Sequence, residues 1–193
     1  AATVASGARP VFAVTQTGRY VGQGLVEAAN GEPLGDFGLR VLEDEDPYAL
    51  MVYHRAVTPE RQETIIRDTV RHPRMLVASD GIYHGAFSHP RGYGCFARVL
   101  RLCVRELQVV SLEEAIYKMS GFPAERFRIK DRGLLRPGYG ADVVIFDPEA
   151  VADRATWDEP RLEPVGIDRV IVNGQTVVTA GVPVGTPSGR VLR

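Results

Sequence analysis

The chain has 193 residues, 45% of them hydrophobic and 24% charged, with a formal net charge of −1 at pH 7. These proportions are those of a globular protein with one domain or two small ones, and they argue against nucleic-acid and anionic-membrane partners. No apolar run is long enough to span a bilayer, and the start lacks the features of a secretory signal. The chain opens with Ala1 rather than methionine, so we expect it to be processed or to be one piece of something larger.

Residues 1–10 are small and polar without a period, which predicts a disordered start. From 11 to 132, apolar runs that predict strands alternate with amphipathic stretches that predict helices. We expect strands at 11–14, 49–53 and 75–78, and helices at 20–30, 32–42, 58–72, 96–107 and 111–119, with a short turn or helix from 121. The capping residues Asn30, Thr58 and Ser111 support three of these helices. Such alternation indicates parallel βαβ units and an α/β fold.

At residue 133 the pattern changes, because proline and glycine recur every few residues and short β-type runs replace helices. A strand is predicted at 142–147, and 170–178 is typical of a hairpin that turns at Asn173-Gly174. A charged linker at 148–164 contains Trp157, and the tail from 181 is rich in glycine, proline and serine. Residues 133–193 are therefore expected to form a second, all-β module.

The stretch 76–81 is the most informative of the chain. An apolar run that predicts a buried strand ends there in Asp80 and Gly81, and glycine lets the backbone turn sharply without a Cβ penalty. A carboxylate at the C-terminal end of such a strand lies where α/β barrels keep their chemistry. We interpret Asp80 as a functional residue; the alternative is a structural aspartate that caps the loop or the next helix.

The loop after Asp80 is dense in histidine, arginine, serine and tyrosine. Arg91 carries a planar guanidinium that suits a carboxylate, and the alternative is an ion pair with an acidic residue of its own protein. His84 and His89 are candidates to hydrogen-bond a substrate or a metal ligand, although the interpretation we favour for both is a loop histidine satisfied by the backbone. Tyr93 is expected to shape the loop.

The remaining histidines and the two cysteines are weaker candidates for functional residues. His54 ends a predicted strand and is a candidate ligand at the same edge, whereas His72 lies at a helix end, where a cation complements the dipole. Cys95 and Cys103 are about 12 Å apart on a predicted helix, too far for a mutual disulfide. We expect them to be buried as small hydrophobic side chains in a reducing, cytoplasmic setting.

Several motifs, in this order and spacing, resemble the C-terminal part of the N-acyl-D-amino-acid deacylases (D-aminoacylases) of the amidohydrolase superfamily. The motifs are Arg19-Tyr20-Val21-Gly22, Ser79-Asp80-Gly81, His89-Pro90-Arg91, Tyr93-Gly94, Leu112-Glu113-Glu114-Ala115-Ile116, Asp131-Arg132-Gly133, Pro137-Gly138-Tyr139-Gly140-Ala141-Asp142 and Val172-Asn173-Gly174. The stretch Gly138–Val144 and the Asn-Gly hairpin occur in most amidohydrolases. The Ser-Asp-Gly strand end followed by His-Pro-Arg is a more specific motif and points to the D-aminoacylase branch.

This resemblance implies a (β/α)₈ barrel with a small β-sandwich made from both chain ends. It implies that Asp80 binds or faces a catalytic Zn²⁺ and acts as the general base that activates water. It assigns Arg91 to the substrate carboxylate, and we place His89 and Tyr93 beside it as substrate-binding residues. The other ligands for one or two Zn²⁺ ions, a His-x-His, a cysteine and two further histidines, belong to earlier strands that are not in this chain.

A complete barrel of this kind needs roughly 250 residues. Before Asp80 the chain contains only His54 and His72 and no His-x-His, so it can neither close a barrel nor build the zinc site. We therefore expect residues 11–132 to be the last strands and helices of a barrel that another chain or a missing N-terminal half completes. An open wedge would leave strand edges and apolar faces in water.

The leading hypothesis is a C-terminal half or subunit that hydrolyses the amide of an N-acyl-D-amino acid together with its complement. One alternative is another amidohydrolase reaction, such as hydantoinase-like or dihydroorotase-like ring opening or deamination. A second is a non-catalytic structural subunit. A split enzyme and a proteolytic or engineered fragment remain open at this point.

Overall fold

The computed structural model of the chain describes residues 9–15, 18–21, 23–45, 49–54, 58–81, 83, 88–185 and 188–192, and within 9–15 and 49–54 only the backbone. Of the predicted disordered start at 1–10, residues 1–8 lie outside these residues, as does His84, whereas residues 9 and 10 belong to a strand. Helices and strands mix up to residue 126, and the later elements are strands. None of the described helices is both long and apolar enough to cross a membrane.

The first part of the chain contains β1 (Arg9–Thr15), α1 (Leu25–Ala29), α2 (Leu34–Asp44) and β2 (Ala49–His54). Helix α1 ends at Asn30, which adopts the left-handed conformation (φ 46°) that the Asn-Gly sequence predicts. The two helices share a small core of four buried side chains: Tyr20, Ala29, Phe37 and Val41. The rings of Tyr20 and Phe37 meet edge to face at 5.6 Å.

Strands β1 and β2 pair with each other antiparallel, from Arg9 opposite His54 to Thr15 opposite Ala49. The expected parallel arrangement is therefore wrong for this pair. Hydrophobic patterning predicts that a segment is extended, but it does not encode the direction of the partner strand. The connection between the strands contains two helices, and a connection of that length permits either direction.

Helix α3 (Pro59–Arg71) begins where the sequence predicts, because the Thr58 hydroxyl accepts a hydrogen bond from the Arg61 N–H at 3.3 Å. The predicted strand at 75–78 is not a strand in the structure. The Val77 N–H instead donates to the Lys118 carbonyl at the end of another helix (3.1 Å). The run is apolar because Val77 is buried, and burial alone does not provide a neighbouring strand.

The long helix predicted at 96–107 begins earlier, as α4 (Arg91–Arg98), and continues as a π-helix over Val99–Glu106. Its wider turns accompany contacts with the segment after β3. Arg101 Nε lies 2.8 Å from an Asp153 carboxylate oxygen, and Arg105 donates to the carbonyls of Pro148 (2.8 Å) and Val151 (3.0 Å). The linker is thereby held along the helix.

Helices α5 (Leu112–Met119) and α6 (Gly121–Arg126) follow. The Ser111 hydroxyl accepts from the Glu114 N–H at 3.1 Å, as the predicted cap requires. Together with α3 and the π-helix, α5 encloses the main core, whose buried members are Val70, Ala97, Leu100, Cys103, Val109, Val110, Ala115 and Val151. Lys118 is buried beside this core and donates to the His72 carbonyl at 2.8 Å, so it closes the end of α3.

The last part contains β3 (Val143–Phe146), β4 (Ile167–Val172), β5 (Gln175–Thr179) and β6 (Val182–Pro183) in one antiparallel sheet of that order. The predicted hairpin is confirmed: Asn173 (φ 50°) and Gly174 (φ 80°) turn β4 into β5. Phe146 and Ile167 pack against the main core. The structure is thus an α/β arrangement with a small antiparallel sheet, and the sheet is joined to the helices by apolar contact.

Candidate active site around Asp80 and Arg91

Asp80 lies at a sharp turn of the backbone. Its φ of 46° is in the left-handed region, which a short polar side chain tolerates better than most others. The turn is closed by the Gly81 N–H, which donates to the Ser79 hydroxyl at 3.2 Å. The Asp80 side chain is 79% exposed, so its carboxylate is held out into solvent rather than packed inside the chain.

Arg91, in the first turn of α4, holds Asp80 at two points. Its Nε donates to the Asp80 carbonyl at 2.8 Å, and its Nη2 lies 2.6 Å from Oδ2 of the Asp80 carboxylate. The two residues proposed for the active site are therefore brought together as an ion pair within the chain, which is the structural alternative that the sequence left open for Arg91. The Nε–Nη2 edge of the guanidinium contacts Asp80, and Nη1 has no hydrogen-bond partner among the described residues.

His89 and Tyr93 flank this pair. The His89 Nδ1 accepts a hydrogen bond from the Arg91 N–H at 3.1 Å, which satisfies a donor that the start of a helix leaves free. The His89 ring meets Trp157 edge to face at 4.7 Å. The Tyr93 ring meets Tyr83 in the same way at 5.6 Å. His89 thus contacts the backbone of the site, and Tyr93 packs beside it.

Two residues near the site, Tyr83 and Trp157, were not singled out by sequence reasoning. The Tyr83 hydroxyl donates to the Gly92 carbonyl at 2.9 Å, next to Arg91. Trp157 belongs to the linker after β3 and is distant in sequence from the histidine that it contacts. Composition could have drawn attention to Trp157 because it is the single tryptophan, but nothing local indicates its partner.

The structure distributes the remaining sequence candidates over several elements, and Cys95 lies near the Asp80–Arg91 pair. His54 is the last residue of β2, and His72 lies at the end of α3, where its Nδ1 accepts from the Arg74 N–H at 3.2 Å. His84 is outside the described residues. Cys103 is buried in the main core, and Cys95 lies with its sulfur 3.5 Å from the Ala78 carbonyl.

Both cysteines are free thiols. Burial raises the pKa of the Cys95 thiol above its ordinary value, and Arg91 and Arg98 oppose this only in part. Burial likewise raises the pKa of Cys103. A thiol with a raised pKa remains protonated at neutral pH and is a poor nucleophile and a poor metal ligand. Cys103 is thus buried in the main core as expected, whereas Cys95 is only partly buried.

An open, largely apolar groove of about 800 Å³ runs beside the site, between α3, α4 and the linker. Residues at its rim include His89 and Arg91, and Trp157 closes one side. Apolar grooves with a few polar groups are the usual form of small-molecule sites. The groove thus adjoins Arg91, whereas Asp80 is not among the described residues that line it.

A metal site would need more donors than this part of the chain provides. No group of three or more histidine, cysteine or acidic side chains that could hold a metal ion occurs among the described residues. Asp80 fits such a site as one ligand, because a carboxylate oxygen is a hard donor and this one is open to solvent. The described residues thus do not form a metal site of three or more such donors by themselves.

The chain is similar in sequence to known proteins. The sequence profile of the amidohydrolase family matches residues 37–178. The N-acyl-D-glutamate deacylase of Alcaligenes xylosoxydans xylosoxydans is 46% identical over 131 residues, which cover 68% of this chain and 27% of that enzyme. The chain therefore spans about a quarter of the length of this curated relative.

Two solved structures resemble the fold closely. A D-aminoacylase studied for its binuclear metal centre gives a TM-score of 0.83 at 33% identity, and the match covers 98% of this chain and 39% of that one. The N-acyl-D-glutamate deacylase of Bordetella bronchiseptica, in complex with zinc and a phosphonate mimic of the tetrahedral intermediate, gives a TM-score of 0.70 at 36% identity. That match covers 90% of this chain and 36% of the enzyme.

Proposed function

Because this chain belongs to the amidohydrolase family, we propose that it is the C-terminal part of a metal-dependent hydrolase that cleaves the amide bond of N-acyl-D-amino acids. The observation that carries the proposal is the Asp80–Arg91 pair, which combines an exposed carboxylate with a guanidinium at hydrogen-bond distance. Hydrolysis of an N-acyl amino acid needs a base for water and a cation for the substrate carboxylate. The pair offers both.

In this proposal Asp80 is the general base and one ligand of the metal site. A bound Zn²⁺ would supply a lowered pKa for its water and polarisation of the substrate carbonyl. The Asp80 carboxylate takes the proton from the attacking water and passes it to the leaving amine. The carbonyl carbon thus gains the hydroxyl group and the amide nitrogen gains the proton. The exposure of Asp80 leaves room for that water and for the amide.

Arg91 binds the substrate carboxylate, and its geometry allows this without releasing Asp80. The guanidinium spends its Nε and Nη2 on Asp80, so its outer edge, with Nη1, faces away from that contact. A planar guanidinium can bind carboxylates on two edges at once. Arg91 would then fix the distance between the substrate acid group and the base, with His89 holding the start of α4 and Tyr93 lining the loop.

We further propose that residues 11–132 are the end of a (β/α)₈ barrel that a complementary polypeptide or an N-terminal half completes, which makes the enzyme a heteromer if the parts are separate chains. Apolar side chains on α1 and α2 support this, because Leu39 is 63%, Val26 57% and Leu42 54% exposed. Large apolar side chains left in water are typical of a surface that another part covers. The remaining Zn²⁺ ligands would come from that part.

A second sheet would complete the β-sandwich proposed for 133–193. One row of sheet partners runs from Val144 through Val170 and Val178 to Pro183, and Val144 is 52% exposed. An antiparallel sheet usually packs one apolar face against another layer. We place the enzyme in the cytoplasm, because the chain keeps two free thiols and forms no disulfide among its described residues.

The test is a substrate panel on the assembled enzyme, the chain together with the polypeptide that carries the barrel's N-terminal part. We expect release of the free amino acid from N-acetyl-D-amino acids, with the L-enantiomers, carboxamide analogues, hydantoins and dihydroorotate much poorer. Preference for a ring or for a substrate without a carboxylate would move the assignment to another amidohydrolase reaction.

A non-catalytic subunit is the second candidate, because the described residues hold no cluster of three metal donors. Elemental analysis of the isolated chain and of the assembled protein distinguishes the two. Zinc in the assembly together with hydrolysis supports the enzyme. An assembly that holds no zinc and hydrolyses nothing supports the structural role.

A further inference from the structure

Tyr83 connects the two backbone segments that carry Asp80 and Arg91. Its hydroxyl donates to the Gly92 carbonyl at 2.9 Å, and its ring meets Tyr93 at 5.6 Å with an interplanar angle of 78°. Tyr83, in the Asp80 loop, thus contacts the first turn of α4 by a hydrogen bond and by an aromatic contact. Neither contact involves a charged group.

The backbones also touch directly at this point. A Cβ placed on Gly81 would lie 3.1 Å from the Gly92 Cα and 3.0 Å from the Tyr83 hydroxyl. A Cβ on Gly92 would lie 3.2 Å from the Tyr83 ring. These distances are shorter than ordinary van der Waals contact, so the two glycines permit a close approach that a larger residue would open. Gly81 adjoins Asp80, and Gly92 adjoins Arg91.

We infer that Tyr83 is a positioning residue for Arg91, an inference that rests on the proposed function. The bond to the Gly92 carbonyl fixes the first turn of α4 relative to the Asp80 turn. Arg91 Nε can then reach the Asp80 carbonyl while its outer edge stays aimed at the substrate carboxylate. Without the bond, the helix start is free to shift, and the guanidinium loses its fixed direction towards the acid group.

Tyr83 is not a core residue. It is 59% exposed, so it adds little to the apolar core. Tyr117 offers a matched comparison, because its hydroxyl also makes one hydrogen bond, to Glu125 at 3.0 Å, and it is 45% exposed. Tyr117 lies on α5 and makes no contact with Asp80 or Arg91 among the contacts of the described residues.

The experiment compares Tyr83→Phe with Tyr117→Phe in the assembled enzyme. One neutral hydrogen bond corresponds to roughly a threefold to tenfold change, so we expect Tyr83→Phe to raise KM for the N-acyl-D-amino acid by that factor with kcat nearly unchanged. The kcat/KM for the carboxamide analogue should not change, because Arg91 has no acid group to bind there. A general structural defect would lower both activities together.

A second variant approaches the same contact from the other side. Gly92→Ala places its methyl against the Tyr83 ring and should also raise KM for the acid substrate more than for the carboxamide. Its control is Gly38→Ala in α2, where a Cβ would meet nothing within 4 Å. Alanine favours a helix over glycine, so loss of helix α4 is not expected.

The outcomes separate this inference from the function on which it rests. An inactive wild-type assembly would overturn the proposed function and the positioning role with it. An active wild type in which Tyr83→Phe matches Tyr117→Phe, or in which acid and carboxamide change equally, would overturn the positioning role alone.

Discussion

Two arginine–aspartate pairs hold different parts of this chain, and their surroundings differ. Arg91 and Asp80 approach to 2.6 Å with side chains 37% and 79% exposed. Arg132 and Asp142 approach to 3.0 Å, and the Arg132 side chain is only 8% exposed. The charges of the two pairs are the same, but the cation is accessible in the first pair and buried in the second, where Asp142 is 39% exposed.

The surroundings of Arg132 explain the contrast. Its guanidinium also donates to Asn173 Oδ1 at 2.6 Å and to the Asp131 carbonyl at 3.1 Å, so its donors are committed within the chain. A Cβ on Gly140 would overlap the Arg132 guanidinium, so the backbone at Gly140 lies directly against this group. Arg132 joins the segment after α6 to the hairpin turn of the sheet. A buried guanidinium with all three nitrogens bonded is structural, whereas the more exposed Arg91, whose Nη1 has no partner among the described residues, can exchange partners.

The largest expected effect tests the exposed pair. Asp80→Asn should lower kcat for the N-acyl-D-amino acid by about a thousandfold, because general-base catalysis contributes about that much and asparagine cannot take a proton. The fold should be retained, since the side chain is exposed. Steady-state kinetics measure the loss, and circular dichroism checks the fold. Activity close to wild type would reject Asp80 as the base.

The pair with the buried arginine should give the largest change in stability. Arg132→Met removes the buried cation and leaves the part-buried Asn173 Oδ1 and Asp131 carbonyl without this donor, which should lower the free energy of unfolding by roughly 1–3 kcal/mol. Urea unfolding of the whole protein measures it. Arg91→Met is the matched control and should cost less than about 1 kcal/mol, as exposed pairs do. Equal losses would contradict the contrast between the pairs.

Arg91→Met should instead affect the substrate. Hydrogen bonds to charged groups are worth about 1.5–3 kcal/mol, so KM for the acid substrate should rise roughly tenfold to a hundredfold. The carboxamide analogue should be turned over as by the wild type. Arg91→Lys should recover only part of the loss, because an ammonium cannot bind with two parallel N–H groups. A loss that is equal for acid and carboxamide would show that Arg91 does not bind the carboxylate.

The smallest effect concerns the coupling of each pair. A double-mutant cycle on Asp80 and Arg91 should give about 0.5 kcal/mol, and 1 M salt should reduce it, because exposed charges are screened over about 3 Å at that ionic strength. The same cycle on Arg132 and Asp142 should give more, about 1 kcal/mol, and 1 M salt should reduce it less, because Arg132 is buried although Asp142 is partly exposed. Urea unfolding of the single and double variants at low and high salt provides both values. A salt-insensitive Asp80–Arg91 coupling would indicate that this pair is not open to solvent.

Local signals predicted a good part of the fold. The caps at Thr58 and Ser111 and the helix end at Asn30 were confirmed, because each depends on a side chain or backbone conformation within a few residues. The Asn173-Gly174 hairpin belongs to the same class. Asp80 and Arg91 could also be selected from the sequence, since a carboxylate after an apolar run and an arginine in the following loop are visible there.

What the sequence by itself determined was therefore which segments are helical or extended and which residue types carry the chemistry. Only the tertiary structure decided that β1 and β2 run antiparallel, that 75–78 bonds to a helix end instead of a strand, and that Arg91 grips Asp80 through two contacts. It also brought Tyr83 to Gly92 and Trp157 to His89. Caps and turns are set by neighbours in the chain, whereas pairing direction and contacts between distant segments depend on which surfaces meet when the apolar faces are buried.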